Sequence, residues 1–375
     1  MRILHTSDWH LGMSVGTGTL AGDQRFFLEQ LYGIIEEEQA DILLLAGDVY
    51  DSSVSNAEAI SVYNEATTRI CADMGKKMVV IAGNHDGAER LAACSELLKG
   101  AGLYVSGRLT REITPILAGN TAIYPLPFFN REEVIALFPE KSTEITSQEK
   151  AMKVVCDHIR EEMDPSRFNI VVAHALIVSA ELSESDRSAR VGQASAVSKD
   201  VFEGFDYVAL GHIHKPQMID EHICYSGSPV KYSFGNEEGQ QKGVVLIDTE
   251  SSEIQTIPIQ MLHDRKTVRG TYEEIIERED LSEDYLRLYV SDRYAGLELL
   301  SALQQKFPYL LELYGKALEE GDGQTALTVG ELQSLDEVDI MMRFCGENGG
   351  ALPNEEQLSL FKEVLEWCEK EGELS

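Results

Sequence analysis

Five places in the sequence carry Asp, Asn or His directly after a short apolar run. The residues at these places are Asp8 and His10, Asp48, Asn84 and His85, His174, and finally His212 and His214. Carboxylate, carboxamide and imidazole ligands without a thiolate favour Mn²⁺-like or Zn²⁺-like ions over a cysteine-bound structural zinc. Apart from His85 these residues are seven candidate ligands, more than one ion needs. They predict two ions about 3.5 to 4 Å apart, which could clamp the attacking and leaving oxygens of a phosphoester and activate a water molecule.

His85 is the candidate general acid. It stands next to the candidate ligand Asn84, and the leaving oxygen of a phosphoester needs a proton or a positive neighbour. Asp51 and Asp86 are predicted to orient ligands, because metal-bound imidazoles and carboxylates usually need hydrogen-bonding partners of their own. The remaining histidines have no comparable context and receive no role: His5, His158, His222 and His263.

The apolar runs before these residues predict buried β-strands. They are Arg2 to Thr6, Asp41 to Ala46, Met78 to Ala82, Ile170 to Ala173 and Tyr207 to Leu210. Helices are predicted over Asp23 to Glu38, Asn56 to Met74 and Ala88 to Lys99. This alternation is typical of a layered α/β domain. Because the carboxyl ends of parallel strands lie along one edge of an open sheet, the five strand ends should bring the candidate ligands together.

The texture of the sequence changes after Pro229. Two more strands, Gly243 to Asp248 and Glu253 to Met261, are predicted to complete the first domain. A smaller α/β unit follows, with helices over Thr271 to Arg278 and Leu297 to Phe307 and a strand over Tyr285 to Ser291. The tail carries two predicted helices, Leu335 to Cys345 and Glu355 to Glu371, and Asn354 with Gln357 predicts a capping box for the second. The predicted domains are therefore residues 1–263, 264–330 and 331–375.

The charge of the chain limits its partners. It has 375 residues, 64 of them acidic and 32 basic, with a formal net charge of −32. A protein that grips nucleic acid through its own broad basic face usually has a surplus of Lys and Arg. The sequence lacks a secretory signal and any apolar run long enough for a membrane span, which predicts a cytoplasmic protein without a membrane partner. Six cysteines without a CxxC pair predict reduced, mostly buried thiols.

The motifs resemble those of the calcineurin-like metallophosphoesterase superfamily. They are SDWHLG from Ser7, GDVYD from Gly47, GNHD from Gly83, the segment around His174, and GHIH from Gly211. With Trp9 and Leu11 in the first motif and the C-terminal layout, the chain is most similar to the SbcD-type nuclease subunits. The resemblance implies a layered α/β metallophosphoesterase core, a small α/β capping domain and a C-terminal helical tail.

The same resemblance implies a distribution of the ligands. Asp8, His10, Asp48 and His214 would hold one Mn²⁺, and Asp48, Asn84, His174 and His212 would hold the other. Asp48 would bridge the two ions and His85 would assist catalysis. Mg²⁺ or another divalent ion is the alternative to Mn²⁺.

The resemblance also implies an activity and partners. The activity would be that of a 3′–5′ double-strand exonuclease and a single-strand and hairpin endonuclease in DNA repair, recombination and replication. The partners would be DNA, an SbcC-type ATPase subunit bound to the tail, and a second copy of the chain, joined through the helices Asn56 to Met74 and Ala88 to Lys99, within a heterotetramer. The alternatives are a small-molecule phosphatase or cyclic-nucleotide phosphodiesterase with the same site, and a scaffold with a vestigial site. The net charge predicts that the ATPase subunit supplies most phosphate contacts.

Overall fold

The computed structural model of the chain describes residues 1–16, 18–186 and 196–316, and, beyond them, 327–328, 338, 342, 353–354, 357–362 and 364. The chain divides into two compact units, Met1–Asp264 and Arg265–Ser375. Within the described residues, no helix combines the length and the apolar character that crossing a membrane requires.

The first unit contains two six-stranded sheets. In the first sheet the strands lie in the order Glu253–Pro258, Gly243–Asp248, Arg2–Thr6, Ile42–Ala46, Lys77–Ile81 and Leu103–Ser106. The last four of these run parallel, and Arg2–Thr6 pairs antiparallel with Gly243–Asp248. Every residue of Ile42–Ala46 is buried, as expected for a central strand of a sheet that is covered on both faces.

The second sheet contains the strands that lead to the later motifs. Its order is Gln217–Asp220, Ile223–Tyr225, Tyr207–Gly211, Phe168–His174, Thr121–Leu126 and Ile116–Ala118. The four inner strands are parallel and both edge strands are antiparallel to their neighbours. The expectation of one open sheet was therefore wrong, since the five predicted strands divide three to two between two sheets. Apolar runs show that a strand is buried on both faces, but they do not show which sheet it joins.

The two sheets pack face to face, and helices cover their outer faces. Between the sheets lie apolar side chains from both, including Ile42, Leu44, Val79, Ile170 and Val172. Helices Ala21–Glu37 and Ala57–Thr68 pack on the first sheet, and Arg131–Leu137 and Gln148–Glu162 pack on the second. The predicted layered α/β fold is confirmed, with four layers in the order helix, sheet, sheet, helix.

The helices differ from the predictions at their ends and in one interior. Helix Ala57–Thr68 starts where Asn56 accepts a hydrogen bond from the Ala59 amide at 2.8 Å, and it continues as a π-helical turn, Arg69–Asp73. The single helix predicted over Ala88 to Lys99 was wrong. The chain forms two short helices there, Ala88–Leu91 and Ser95–Leu98, because Cys94 has a left-handed backbone with φ of 60° that interrupts the helical hydrogen bonds.

Shorter elements connect these layers. The 3₁₀ turns are Lys99–Ala101, Pro139–Lys141, Lys199–Phe202 and Gly235–Glu237, and a two-residue hairpin pairs Ser14–Val15 with Gly18–Thr19.

The second unit has its own sheet and core. The strands lie in the order Arg265–Gly270, Tyr285–Val290, Leu310–Tyr314 and Leu327–Thr328, of which the first three are parallel. Helices Tyr272–Ile276 and Leu297–Gln304 bury their apolar side chains against one face of this sheet, as predicted.

The predicted tail lies mostly outside the described residues. The capping box at its second helix is confirmed, because Asn354 Oδ1 accepts from the Gln357 amide at 2.9 Å and Gln357 Oε1 accepts from the Asn354 amide at 3.0 Å. Most of the two predicted tail helices, Leu335 to Cys345 and Glu355 to Glu371, falls outside the described residues. The division into three domains therefore stays a prediction.

Candidate metal centre

The two sheets end side by side, and the loops that follow their strands meet at this edge. Backbone hydrogen bonds of 3.0 Å join the Asp8 amide to the Gly47 carbonyl and the His10 amide to the Asp48 carbonyl. The His212 amide, which belongs to the second sheet, donates to Asp8 Oδ1 at 3.0 Å. Residues from both sheets thus share one site.

Asp8, His10 and His214 form the first cluster. All three are buried, and their ligand atoms lie within 4.8 Å of one another. The Nε2 atoms of His10 and His214 are 3.1 Å apart. The ring of Tyr232 packs edge-on against both imidazoles, with centroids 5.3 and 5.2 Å away, and its hydroxyl donates to the Asp8 carbonyl at 3.0 Å.

Asp48, His174 and His212 form the second cluster, and Asn84 joins it. His174 Nε2 lies 3.4 Å from Asp48 Oδ2 and 3.3 Å from His212 Nδ1. The amide oxygen of Asn84 lies 3.0 Å from His174 Nε2 and 2.9 Å from His212 Nδ1. The four side chains direct their polar atoms towards one point.

Asp48 connects the two clusters. Its Oδ2 atom lies 3.4 Å from His174 Nε2 in the second cluster and 3.6 Å from His10 Nε2 in the first. A carboxylate that reaches both groups through one oxygen has the geometry expected of a bridge between two cations. The structure therefore brings together all seven residues predicted as ligands.

The donor atoms fit divalent cations of the Mn²⁺ or Zn²⁺ type. The Ala46 carbonyl lies 2.9 Å from His174 Nδ1 and can only accept a hydrogen bond, so His174 carries a hydrogen on Nδ1 and directs Nε2 into the cluster. Each cluster offers imidazole nitrogen and carboxylate oxygen, and sulfur is absent from both. Such a donor set suits ions of intermediate hardness.

Burial and mutual charge shift the pKa values in the site. Burial raises the pKa of Asp8 to about 6. Burial also opposes ionisation of Asp48, but the nearby imidazoles, above all His174, hold the pKa of its carboxyl well below the usual range. Burial would lower the pKa of His174, yet the Asp48 carboxylate overrides this and raises it to about 9. Burial and the adjacent His174 lower the pKa of His212 to about 3.

The backbone at the site is strained. Among described residues, seven non-glycine residues have a positive φ, and four of these are predicted ligands: Asp8, His10, Asp48 and His212. Such conformations cost of order 1 to 3 kcal/mol each and persist only where the surroundings impose them. Here the hydrogen bonds between the loops impose them, so the folded structure stores strain to place ligands.

Gly83 allows the loops to approach this closely. A Cβ atom on Gly83 would lie 2.1 Å from Asp48 Oδ1 and 2.3 Å from the Asp48 amide nitrogen. Any side chain at Gly83 must therefore displace the residue that connects the clusters.

His85 lies beside the clusters and is half-buried. Its amide donates to Asp48 Oδ1 at 2.9 Å, and its Nδ1 lies 2.8 Å from the Asp51 carbonyl oxygen. Because that carbonyl only accepts, Nδ1 carries the hydrogen and Nε2 is left to exchange a proton with a substrate. The ring stands edge-on to His10 with centroids 4.9 Å apart.

Asp86 and Asp51 lie where orienting residues were predicted. The Asp86 carboxylate accepts from the amides of Val49, Tyr50 and Gly83, which joins the loops after two strands. Asp51 Oδ1 lies 3.5 Å from His10 Nδ1. Of the histidines given no role, His5 is buried within its strand, 2.9 Å from the Tyr207 hydroxyl, and His158 packs edge-on against Phe138.

Several other residues at the site were not predicted. Phe128, which is exposed, stands edge-on to His174 with ring centroids 6.3 Å apart. Ser185, Glu237 and Lys242 lie behind His214. These residues fall outside the motifs, and only the charge of Lys242 in an otherwise apolar region could have drawn attention to one of them.

Comparison with known families agrees with this geometry. The family model described as calcineurin-like phosphoesterase matches residues 1–216, which include every predicted ligand. The chain therefore belongs to the calcineurin-like phosphoesterase family. Members of this family depend on divalent metal ions, and the prediction of a phosphoester hydrolase is confirmed at the level of the family.

Within the family the similarity narrows to one group, the SbcD subunits of the nuclease SbcCD. The SbcD protein of Staphylococcus saprophyticus is 29% identical over 378 residues, which cover 99% of this chain and 100% of that protein. The SbcD protein of Staphylococcus epidermidis is 30% identical over 351 residues, which cover 92% of each chain. The predicted resemblance to SbcD-type subunits is confirmed.

Proposed function

We propose that the chain is the DNA nuclease subunit of an SbcCD-type complex. The observation that carries this proposal is the Asp48 carboxylate, which joins two buried clusters of metal-ligating side chains beside His85. Similarity to two proteins named as SbcCD nuclease subunits extends over nearly the whole chain, which supports a nuclease rather than a small-molecule phosphatase. The proposed reactions are 3′–5′ exonuclease cleavage of duplex DNA and endonuclease cleavage of single strands and hairpins.

The proposed ligands follow the two clusters. One Mn²⁺ would be held by Asp8, His10, Asp48 and His214, and the other by Asp48, Asn84, His174 and His212. When bound, the two ions supply charge neutralisation on the phosphate and activation of a water molecule. Mg²⁺ or another divalent ion is the alternative.

His85 is the proposed proton donor. The water oxygen forms a bond to phosphorus while the bond to the leaving oxygen breaks, and the leaving oxygen takes a proton from His85 Nε2. The proton released by the water passes to solvent. The Asp51 carbonyl orients the imidazole for this transfer by holding Nδ1–H, and the Asp48 carboxylate holds the His85 backbone in place.

The proposed partners are DNA, an SbcC-type ATPase subunit and a second copy of the chain. Residues 331–375 contain 12 acidic and 3 basic residues, a net charge of −9, and would dock on the ATPase subunit. Helix Ala57–Thr68 and the segment 88–98 would form the homodimer within a cytoplasmic heterotetramer. With a net charge of −32, the chain would rely on the ATPase subunit for most phosphate contacts.

The test is substrate preference. The purified chain, with and without its ATPase partner, is given Mn²⁺ or Mg²⁺ and offered a DNA hairpin, a duplex end, a single strand and nitrophenyl phosphate. We expect cleavage of the DNA substrates with Mn²⁺, stimulated by the partner and ATP, and little hydrolysis of nitrophenyl phosphate. Rapid hydrolysis of nitrophenyl phosphate with intact DNA would instead identify a small-molecule phosphatase.

A further inference from the structure

A buried line of polar contacts runs from His214 away from the metal centre. His214 Nδ1 lies 2.7 Å from the Ser185 hydroxyl, and this hydroxyl is hydrogen-bonded to Glu237 Oε1. Glu237 in turn accepts from Lys242 Nζ at 3.2 Å. Glu237 and Lys242 are at most 1% exposed, so this is an ion pair within the protein interior.

The direction of these hydrogen bonds follows from counting donors. A buried ammonium needs a charged partner, so Glu237 next to Lys242 is an ionised carboxylate that can only accept. The single proton of the Ser185 hydroxyl must then point to Glu237. Its oxygen is left to accept from His214 Nδ1–H, which leaves the lone pair of His214 on Nε2. That nitrogen faces His10 at 3.1 Å within the first cluster.

Lys242 also binds the backbone of the same histidine. Its ammonium donates to the His214 carbonyl at 2.7 Å and to Ser228 Oγ and Gln240 Oε1 at 3.1 and 3.2 Å. Its hydrogen bonds are thus shared between the relay carboxylate and the main chain of His214. A buried ion pair contributes little to stability compared with apolar side chains of the same volume. A role in placing His214 accounts for its location better than stability does.

Asp186 is the competing partner of His214. Its Oδ1 atom accepts from the His214 amide at 3.1 Å and lies 3.4 Å from His214 Nδ1. The Ser185 oxygen is closer to Nδ1, at 2.7 Å. The distances therefore assign the imidazole to Ser185 and the backbone amide to Asp186.

We propose that Ser185, Glu237 and Lys242 form a positioning relay that holds His214 in the Nδ1–H form and so sets the affinity of the first cluster for its cation. The proposal rests on the ligand assignment of the proposed function. His174 has only a backbone carbonyl at the same ring position, so the relay acts on one of the two cation sites. Partners of this kind typically change metal affinity 10- to 100-fold.

The test compares two serines that contact the same oxygen. Ser185 and Ser233 both donate to Glu237 Oε1, but the described contacts of Ser233 do not include His214. Mn²⁺ is titrated into the metal-free full-length Ser185→Ala, Ser185→Thr and Ser233→Ala proteins, with calorimetry and electron paramagnetic resonance as readouts. We expect Ser185→Ala to lose about 10- to 100-fold in affinity at one of two sites. Ser185→Thr, which keeps the hydroxyl, and Ser233→Ala should both retain wild-type affinity.

Glu237 supplies a second route to the same answer. Glu237→Gln leaves Lys242 unpaired and can prevent folding, so the double variant Glu237→Gln with Lys242→Met is titrated beside it. It should show the same selective loss at one site. Thermal unfolding of the metal-free proteins separates positioning from a purely structural effect, since Ser185→Ala should unfold at the same temperature as Ser233→Ala.

Two outcomes contradict the proposals, and they are distinguishable. If Ser185→Ala binds two Mn²⁺ ions as tightly as the wild-type chain, the relay is wrong and Asp186 holds the imidazole. If the wild-type chain itself binds no pair of ions, the ligand assignment of the proposed function fails instead.

Discussion

The Nε2 atoms of His10 and His214 lie 3.1 Å apart, although 204 residues separate the two histidines in the chain. Both rings are buried, and Asp8 completes a cluster around them. Two imidazole nitrogens that face each other at hydrogen-bond distance can share at most one proton, or they can share a cation. The site is therefore built for a positive charge between these two residues.

The roles of His85 and Asp48 separate in a metal analysis. Because His85 contacts Asp48 only through its amide, His85→Ala should retain both ions and lose about 10²- to 10⁴-fold in DNA cleavage. Asp48→Ala should lose metal as well as activity, since Asp48 reaches both clusters. Metal content by plasma mass spectrometry and cleavage of a labelled hairpin check the two effects. A metal-free His85→Ala protein would show that His85 acts as a ligand.

Gly83→Ala should weaken metal binding without a change in any ligand. The new Cβ would stand 2.1 Å from Asp48 Oδ1, so Asp48 or the loop must move. We expect at least about a tenfold lower affinity for Mn²⁺ by calorimetry, the scale seen when groups that orient ligands are lost.

The matched control is Gly33→Ala on helix Ala21–Glu37, where a Cβ would contact nothing within 4 Å. It should bind Mn²⁺ normally and gain up to about 1 kcal/mol in stability, because alanine favours a helix more than glycine does. Equal Mn²⁺ affinities for the two variants would show that the site tolerates displacement of Asp48.

Stability of the metal-free protein should fall with acidification because of His5. Burial lowers the pKa of His5 to about 3, whereas the unfolded chain has an ordinary pKa near 6.5. Below pH 6.5 the unfolded chain therefore takes up a proton that the folded protein does not. The contribution of His5 to the free energy of unfolding should be constant above pH 6.5 and decrease by about 1.4 kcal/mol per pH unit towards pH 3.

The measurement compares wild type with His5→Leu by urea unfolding in a chelator between pH 7.5 and 5. Loss of the 2.9 Å hydrogen bond to the Tyr207 hydroxyl gives the variant a constant cost. On acidification, wild type should lose stability relative to the variant. A difference between the two that does not change with pH would mean that His5 is protonated in the folded state.

Binding of DNA by the isolated chain should be weak and only slightly dependent on salt. With 32 more acidic than basic residues, few phosphates can be neutralised by this chain alone. A plot of log affinity against log salt should have a slope no steeper than about −2, which corresponds to about two phosphate contacts. The complex with the ATPase subunit should give a steeper slope, and fluorescence anisotropy measures both. A steep slope for the isolated chain would locate the phosphate contacts on it.

The apolar side chains of the tail should be needed for the ATPase subunit. Leu358 and Phe361 lie three residues apart on a helical segment, so they share one face. The double variant Leu358→Asp with Phe361→Asp should lose copurification of the ATPase subunit and keep Mn²⁺ binding. Ser359→Asp, exposed on the same segment, is the control for added charge and should keep the partner. Retention of the partner by the double variant would place the docking surface elsewhere.

The residues of the metal centre could be identified from the sequence, because each stands directly after a strand and chemical type survives without knowledge of the fold. Asp8, Asp48 and His174 were recognisable for this reason, and so was the α/β alternation, since strand and helix periodicity are local. The division of the strands between two sheets was not predictable, because a fully buried strand has the same apolar pattern in either sheet. The break at Cys94 was missed since helical periodicity continues through it.

Other features were decided by the tertiary structure alone. The 3.4 and 3.6 Å distances that make Asp48 a bridge depend on backbone hydrogen bonds between loops from different strands. The burial of Glu237 and Lys242 behind His214 depends on contacts between segments that are far apart in the chain. Residue type is a local property that the sequence carries, whereas distance, burial and proton position are set by packing, which brings together segments that the sequence keeps apart.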